Sequence, residues 1–203
     1  MRLLDEIMRC APVFDRLDEA SLANLSSPQL RALIRTKNGA LALSGALALF
    51  GCGRDASAPM HIARYRNWCA RADYGLQSDD DVFGADVFGD LLFSRNGAAF
   101  RLDGETGDHV EIGMLDVVLN QQLSEIAEEL GGNLGRERFA NRGIGADPLR
   151  LLPTYPFMMK EHVRGEFFET PLSHAIDLKH RLFVASRDAP EVAGIDCSFW
   201  RRT

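Results

Sequence analysis

In this 203-residue chain the side chains that could do chemistry are mainly carboxylates and histidines, and their spacing limits what that chemistry can be. Glu105, Asp108 and His109 are near enough in sequence to form an acid/base group, because a histidine beside carboxylates is easily tuned toward neutral pH. They fall around a turn, however, where such residues usually serve turn geometry and solubility. Asp79–Asp80–Asp81–Val82–Phe83–Gly84, followed by Asp90, puts acids at the first and third positions of a calcium loop and glycine at the sixth. Phe83 stands where an oxygen donor is needed and Asp90 is too short for the usual bidentate ligand, so a solvated acidic loop is expected instead. Gly131–Gly132–Asn133–Leu134–Gly135 follows a helical pattern and lacks the Lys-Ser/Thr ending of a phosphate loop. Ser173–His174 and Ser186–Arg187 lie on or near a helix, and no GxSxG elbow exposes a nucleophile. Cys10, Cys52, Cys69 and Cys197 form no CxxC pair, and His61, His109, His162, His174 and His180 form no HExxH motif. Buried reduced thiols and locally hydrogen-bonded or surface histidines are expected, with no catalytic residue, no cofactor and no metal. The chain reads as a protein that is not an enzyme.

The elements that would position these groups are legible in part. Between Val82 and Val110, short apolar segments alternate with turns. Asn96–Gly97 is a strong two-residue hairpin signal and Gly104–Glu105–Thr106–Gly107 supplies a second turn. Val110, Ile112 and Met114 then alternate with Glu111 and Gly113 as in a half-buried strand, so a three-stranded antiparallel meander is expected. Ser27–Pro28 opens a helix over 28–37, closed by Asn38–Gly39. Ala40 to Phe50 fits either a strand pair bent at Gly45 or a buried helix. Further helices are expected over 61–72, over 115–130 packed across the meander and ended by Gly131–Gly132, and from Thr170–Pro171 onward. On the last of these, Leu172, Ala175, Ile176, Leu178, Leu182 and Phe183 mark the core face. Residues 131–148 read as a long arginine-bearing surface loop, and Pro153 and Pro156 frame a short extended piece. The length and the 46% hydrophobic content suit one α+β domain with a substantial core. No apolar run approaches the roughly 20 residues that span a bilayer. The start, Met1–Arg2–Leu3–Leu4–Asp5–Glu6, turns acidic too early for a secretory signal, so a soluble cytoplasmic protein is expected.

Charge is unevenly distributed. Residues 73–129 hold 14 Asp/Glu against 2 Lys/Arg, a net −12, whereas 1–72 carry +4 and 130–203 carry +2. Such a field disfavours direct nucleic-acid binding, which needs a basic footprint. It favours a basic protein as partner. Asp79, Asp80, Asp81, Asp86, Asp90, Asp103, Glu105 and Asp108 are the expected contact surface, with Asp86, Phe88 and Gly89 as alternative shapers of the fold. If the 79–81 acids are loop residues, replacing them with lysine should leave stability nearly unchanged. A pocket lined by Trp68, Tyr74 and Tyr155 is the less favoured, small-molecule reading, because such aromatics are more often core.

Asp86–Val87–Phe88–Gly89–Asp90, a strand, a turn, Phe100–Arg101–Leu102–Asp103 and Glu105–Thr106–Gly107, then the 115–130 helix, together resemble the core of the SMI1/KNR4 family of the SUKH superfamily. Leu47–Ala48–Leu49–Phe50–Gly51 and Leu152–Pro153…Pro156–Phe157 extend the likeness over roughly residues 28–187. The resemblance implies a single α+β domain with a strongly bent antiparallel sheet and flanking helices. It also implies the role of many bacterial relatives, immunity proteins that bind and neutralise a toxin domain of a polymorphic toxin or secretion system. Other relatives serve as regulatory interaction modules.

Overall fold

A computed structural model of the chain describes residues 1–139, 147–158, 166–188 and 199–200, the side chains of Ala70 and Arg71 excepted. The fold is α+β. Six strands form one antiparallel sheet in sequence order: β1 (Ala40–Ala42), β2 (Leu47–Leu49), β3 (Asp81–Ala85), β4 (Leu91–Arg95), β5 (Ala98–Leu102) and β6 (His109–Met114). The expected meander is thus the second half of a larger sheet. Its central hairpin closes at Asn96–Gly97, whose φ values of 51° and 80° are those of a type I′ turn. Ala40 to Phe50 is the strand pair rather than the helix, bent through a 3-10 turn at Leu43–Gly45.

Two bulges shape this sheet. The register shifts between Val82 and Gly84 against β4, and between Ala99 and Phe100 against β6, making Phe83 and Ile112 the extra residues. Both side chains turn to the same face, where they meet Leu3 and Ile7 of α1 (Leu3–Arg9), Leu115 and Val118 of α5 (Leu115–Asn120) and Ile126 of α6 (Leu123–Glu129). The expected 115–130 helix does pack across the sheet, but it is broken in two. Gln121 is extended, with φ −59° and ψ 155°. Its carbonyl accepts from Leu3 N, and Leu123 N donates to Met1 O, so pairing with the chain's first residues takes over from helix at this point.

Short N-terminal helices precede β1. In α2 (Glu19–Ala23) the Asp18 carboxylate accepts from Ala20 N and Ser21 N; in α3 (Pro28–Thr36) Ser27 Oγ accepts from Leu30 N, as the Ser-Pro pair implied. α4 (Ile62–Ala72) is capped by the buried His61, whose Nδ1 accepts from Ala63 N while Nε2 faces Gly53 O at 2.9 Å. With Nδ1 accepting, the proton resides on Nε2. Residues 132–139, expected as loop, form α7 (Gly132–Phe139), while 140–146 lie outside the described residues. The glycines mark close packing here. A Cβ on Gly135 would lie 2.4 Å from that of Ala46, so only glycine lets α7 sit against the bend between β1 and β2.

A second, two-stranded sheet of β7 (Leu149–Pro153) and β8 (Phe167–Pro171) leads into α8 (Leu172–Asp188). It is tied to the main sheet by Leu151 N donating to Val87 O. Leu172, Ala175, Ile176, Leu178 and Leu182 are buried on α8 as expected, and Phe183 is partly buried. Among the described residues no helix is long and apolar enough to cross a membrane.

Candidate functional site

The acidic segment does not lie open to solvent. Of the eight carboxylates expected as a contact surface, Asp80, Asp81, Asp86, Asp90 and Glu105 are buried, Asp103 is half-buried, and Asp79 and Asp108 are exposed. The reason is local. Asp81 opens β3 and accepts from Ser26 N at 3.0 Å and Ser27 N at 2.6 Å, fixing the entrance to α3. Asp80 accepts from Gln77 N and pairs with Arg95, Nη2 to Oδ2 being 2.5 Å. The 79–81 stretch is therefore an anchored junction rather than a solvated loop. Asp103 Oδ1 accepts from Glu105 N and Thr106 N, holding the β5–β6 turn.

Asp86, Asp90 and Glu105 converge on one buried basic residue, Lys179 of α8. Asp86 Oδ1 accepts from Phe88 N and Asp90 N, shaping the β3–β4 turn. Asp90 Oδ1 accepts from Gly104 N at 2.9 Å and from Lys179 Nζ at 2.5 Å. Glu105 Oε2 accepts from Met158 N at 3.2 Å. Gly104 is needed for this approach, since a Cβ there would come within 2.9 Å of Lys179 Cδ. Burial acts to lower the pKa of Lys179, but Asp90, Glu105 and Asp86 outweigh it and hold the ammonium above its ordinary range. Burial, reinforced by Asp90, raises Asp86, and burial pushes Glu105 up to about 7. Nearby, the buried Arg150 of β7 donates to Gly45 O and Leu149 O, and burial brings it down to about 10.

Lys179 and Arg150 were not singled out in the sequence. Lys179 had a signal, since it stands three and four residues beyond Ile176 and Ala175 on the apolar stripe of α8. Arg150, in a strand too short to show alternation, had none. Both are buried, Lys179 in its pair with Asp90 and Arg150 on backbone carbonyls. The cavity beside Lys179, lined also by Trp68, Tyr74, Leu91 and Leu102, measures ≈ 10 Å³. That is room for about one water and far below a substrate pocket of roughly 300 Å³ or more. Trp68 and Tyr74 do line it, with ring centroids 5.5 Å apart, whereas Tyr155 lies elsewhere and is exposed.

The other candidate groups are each engaged separately. Glu105 points to Met158, Asp108 accepts from Thr106 Oγ1, and His109 Nε2 faces Tyr74 O at 2.9 Å, so no acid/base group assembles from them. Ser173 Oγ donates to Asp147 and His174 Nδ1 faces Thr170 Oγ1, so Ser173 and His174 make no dyad. Cys52 and Cys69 are buried thiols pushed up to about 12 by burial, which keeps them from the reactive thiolate form. Among the described residues no group of histidine, cysteine and carboxylate side chains could hold a metal. Cys197 and His162 lie outside the described residues.

Exposed acids do exist, displaced along the chain from most of the expected ones, with Arg2 at Asn120 Oδ1 and Arg101 at Glu129 O beside them. Asp108, Glu111, Asp116, Glu125, Glu128 and Glu129 are all exposed, and residues 108–129 contain no Lys or Arg. None of the six has an ion-pair partner among the described residues. They run from the β5–β6 turn over β6 and α5 to α6. Comparison with protein-family models, with curated proteins and with solved structures gives no match to this chain.

Proposed function

We propose that this protein is a non-enzymatic immunity protein of the SMI1/KNR4 type, which binds and neutralises a basic toxin or effector domain. The observation that carries the reading is the 108–129 stretch, in which six exposed carboxylates and no Lys or Arg follow one another along the edge strand β6 and the helices α5 and α6. A local excess of one sign accelerates encounter with an opposite partner and disfavours wrong ones. The family resemblance supplies the toxin as partner class. Burial of the DVFGD and ETG acids around Lys179 supports it from another side, because those acids then serve the fold and leave the exposed acids of 108–129 for recognition.

Co-expression with toxins encoded beside the gene, followed by pull-down and growth measurement, tests the proposal. Protection together with a stable complex is the expected result. Failure to bind or protect against any of them, with capture of a housekeeping protein instead, would replace the immunity role with that of a regulatory interaction module.

A further inference from the structure

β6 is an edge strand. β5 pairs with it on one side, and among the described residues no strand lies on the other. Such an edge offers backbone N–H and C=O groups to an incoming strand, and proteins usually guard it with charge, bulges or cover. The guards on β6 are selective. The bulge at Ile112 interrupts the strand, and Asp108, Glu111 and the following Asp116 place only negative charge along it. Arg101, the basic residue of the neighbouring strand, is turned to Glu129 O at 3.3 Å. A second copy pairing through β6 would bring acid against acid, which disfavours self-association. A basic strand meets no such barrier.

The cross-strand register shows what that strand must carry. Val110 stands opposite Arg101 and Glu111 opposite Phe100, so the two project from opposite faces of the sheet. Val110 is 45% exposed; Met114, 50% exposed and opposite Ala98, falls on the face of Glu111, because the bulge at Ile112 shifts the alternation by one residue. A residue added beside Val110 shares its face and is best aliphatic; the next, beside Glu111, shares the other face and is best basic. We infer that β6 accepts, by strand addition, an extended segment of the partner in which Lys or Arg alternates with aliphatic residues. The inference rests on the reading of the protein as the binder of a basic partner and specifies where and how the partner docks.

The probe is a fluorescent ten-residue peptide alternating Lys and Val, titrated against the full chain by anisotropy. Its controls are the same peptide with Glu for Lys, and the Lys/Val peptide N-methylated at every second residue, which keeps the charge but removes strand hydrogen bonds. The Lys/Val peptide should bind at least about tenfold more tightly than either control, and Glu111→Lys should weaken it about tenfold. Hydrogen exchange should slow at residues 109–114. Equal affinity of the N-methylated peptide, or protection confined to other elements, overturns strand addition. So does a concentration-dependent dimer with β6 protected in the absence of peptide, which would name a second copy as the occupant. Because the probe contains no toxin, peptide binding without toxin protection rejects the immunity role alone, whereas toxin binding with β6 unprotected rejects the edge alone.

Discussion

Lys179 shows how strongly a single buried charge can be bound to its surroundings. Its ammonium, 1% exposed, balances Asp90 at 2.5 Å and lies in the field of Asp86 and Glu105. Lys179→Ala should cost about 3–5 kcal/mol, because it strands buried carboxylates without a cation. Lys179→Met paired with Asp90→Asn should recover part of the loss; chemical denaturation of the single and double variants measures both. Glu105 makes the same balance visible in pH. Its folded value of about 7 lies above the ordinary 4.5, so over that interval the native state keeps a proton that the unfolded chain has released. Its contribution is present in full below about pH 4.5 and is lost as pH rises through 7, with a slope approaching about 1.4 kcal/mol per pH unit. Glu105→Gln should therefore flatten the stability profile between those limits and raise stability at pH 8. Thermal melts across pH on both proteins test this, and parallel profiles would show that Glu105 is not the titrating group.

Elements here are placed by close approach as much as by hydrophobic pattern. α7 lies against the β1–β2 bend because Gly135 has no side chain to collide with Ala46. Gly135→Val should destabilise the protein by about 1–3 kcal/mol through overpacking. Ala46→Gly in the same background should return part of that, a coupling readable in a double-mutant cycle. The break between α5 and α6 has a similar origin, since the first residues of the chain take over the Gln121 carbonyl and the Leu123 amide.

For the whole molecule, the field of the 108–129 surface and the integrity of the fold separate cleanly. Glu125, Glu128 and Glu129 are exposed acids of α6, so changing all three to Lys should slow association with a basic partner by about tenfold or more while shifting the melting temperature little. The wild-type association rate should fall as salt rises, because exposed charges are screened beyond about 8 Å at physiological ionic strength. Lysine at Asp79, Asp80 and Asp81 should instead strongly destabilise the fold. Asp81 holds two backbone amides at the entrance to α3, and Asp80 pairs with Arg95. Stopped-flow kinetics with thermal melts on both triple variants distinguish the two surfaces.

The α+β class, the 91–114 meander, the α3 cap and the core face of α8 were legible from the sequence alone. Each depends on neighbours within one turn or one hairpin: Ser27 with Leu30, Asn96 with Gly97, Leu172 with Ala175 and Ile176. The net charge of the central segment was equally plain, but its accessibility was not. Whether an aspartate is solvated or buried depends on donors distant in sequence, as when Asp81 meets Ser27 or Asp90 meets Lys179, 89 residues away. A carboxylate can enter the core only where amides or a cation compensate its lost hydration. Long-range packing supplied those partners to the DVFGD and ETG acids and left the six carboxylates of 108–129 exposed, so tertiary structure alone decided which charges face solvent.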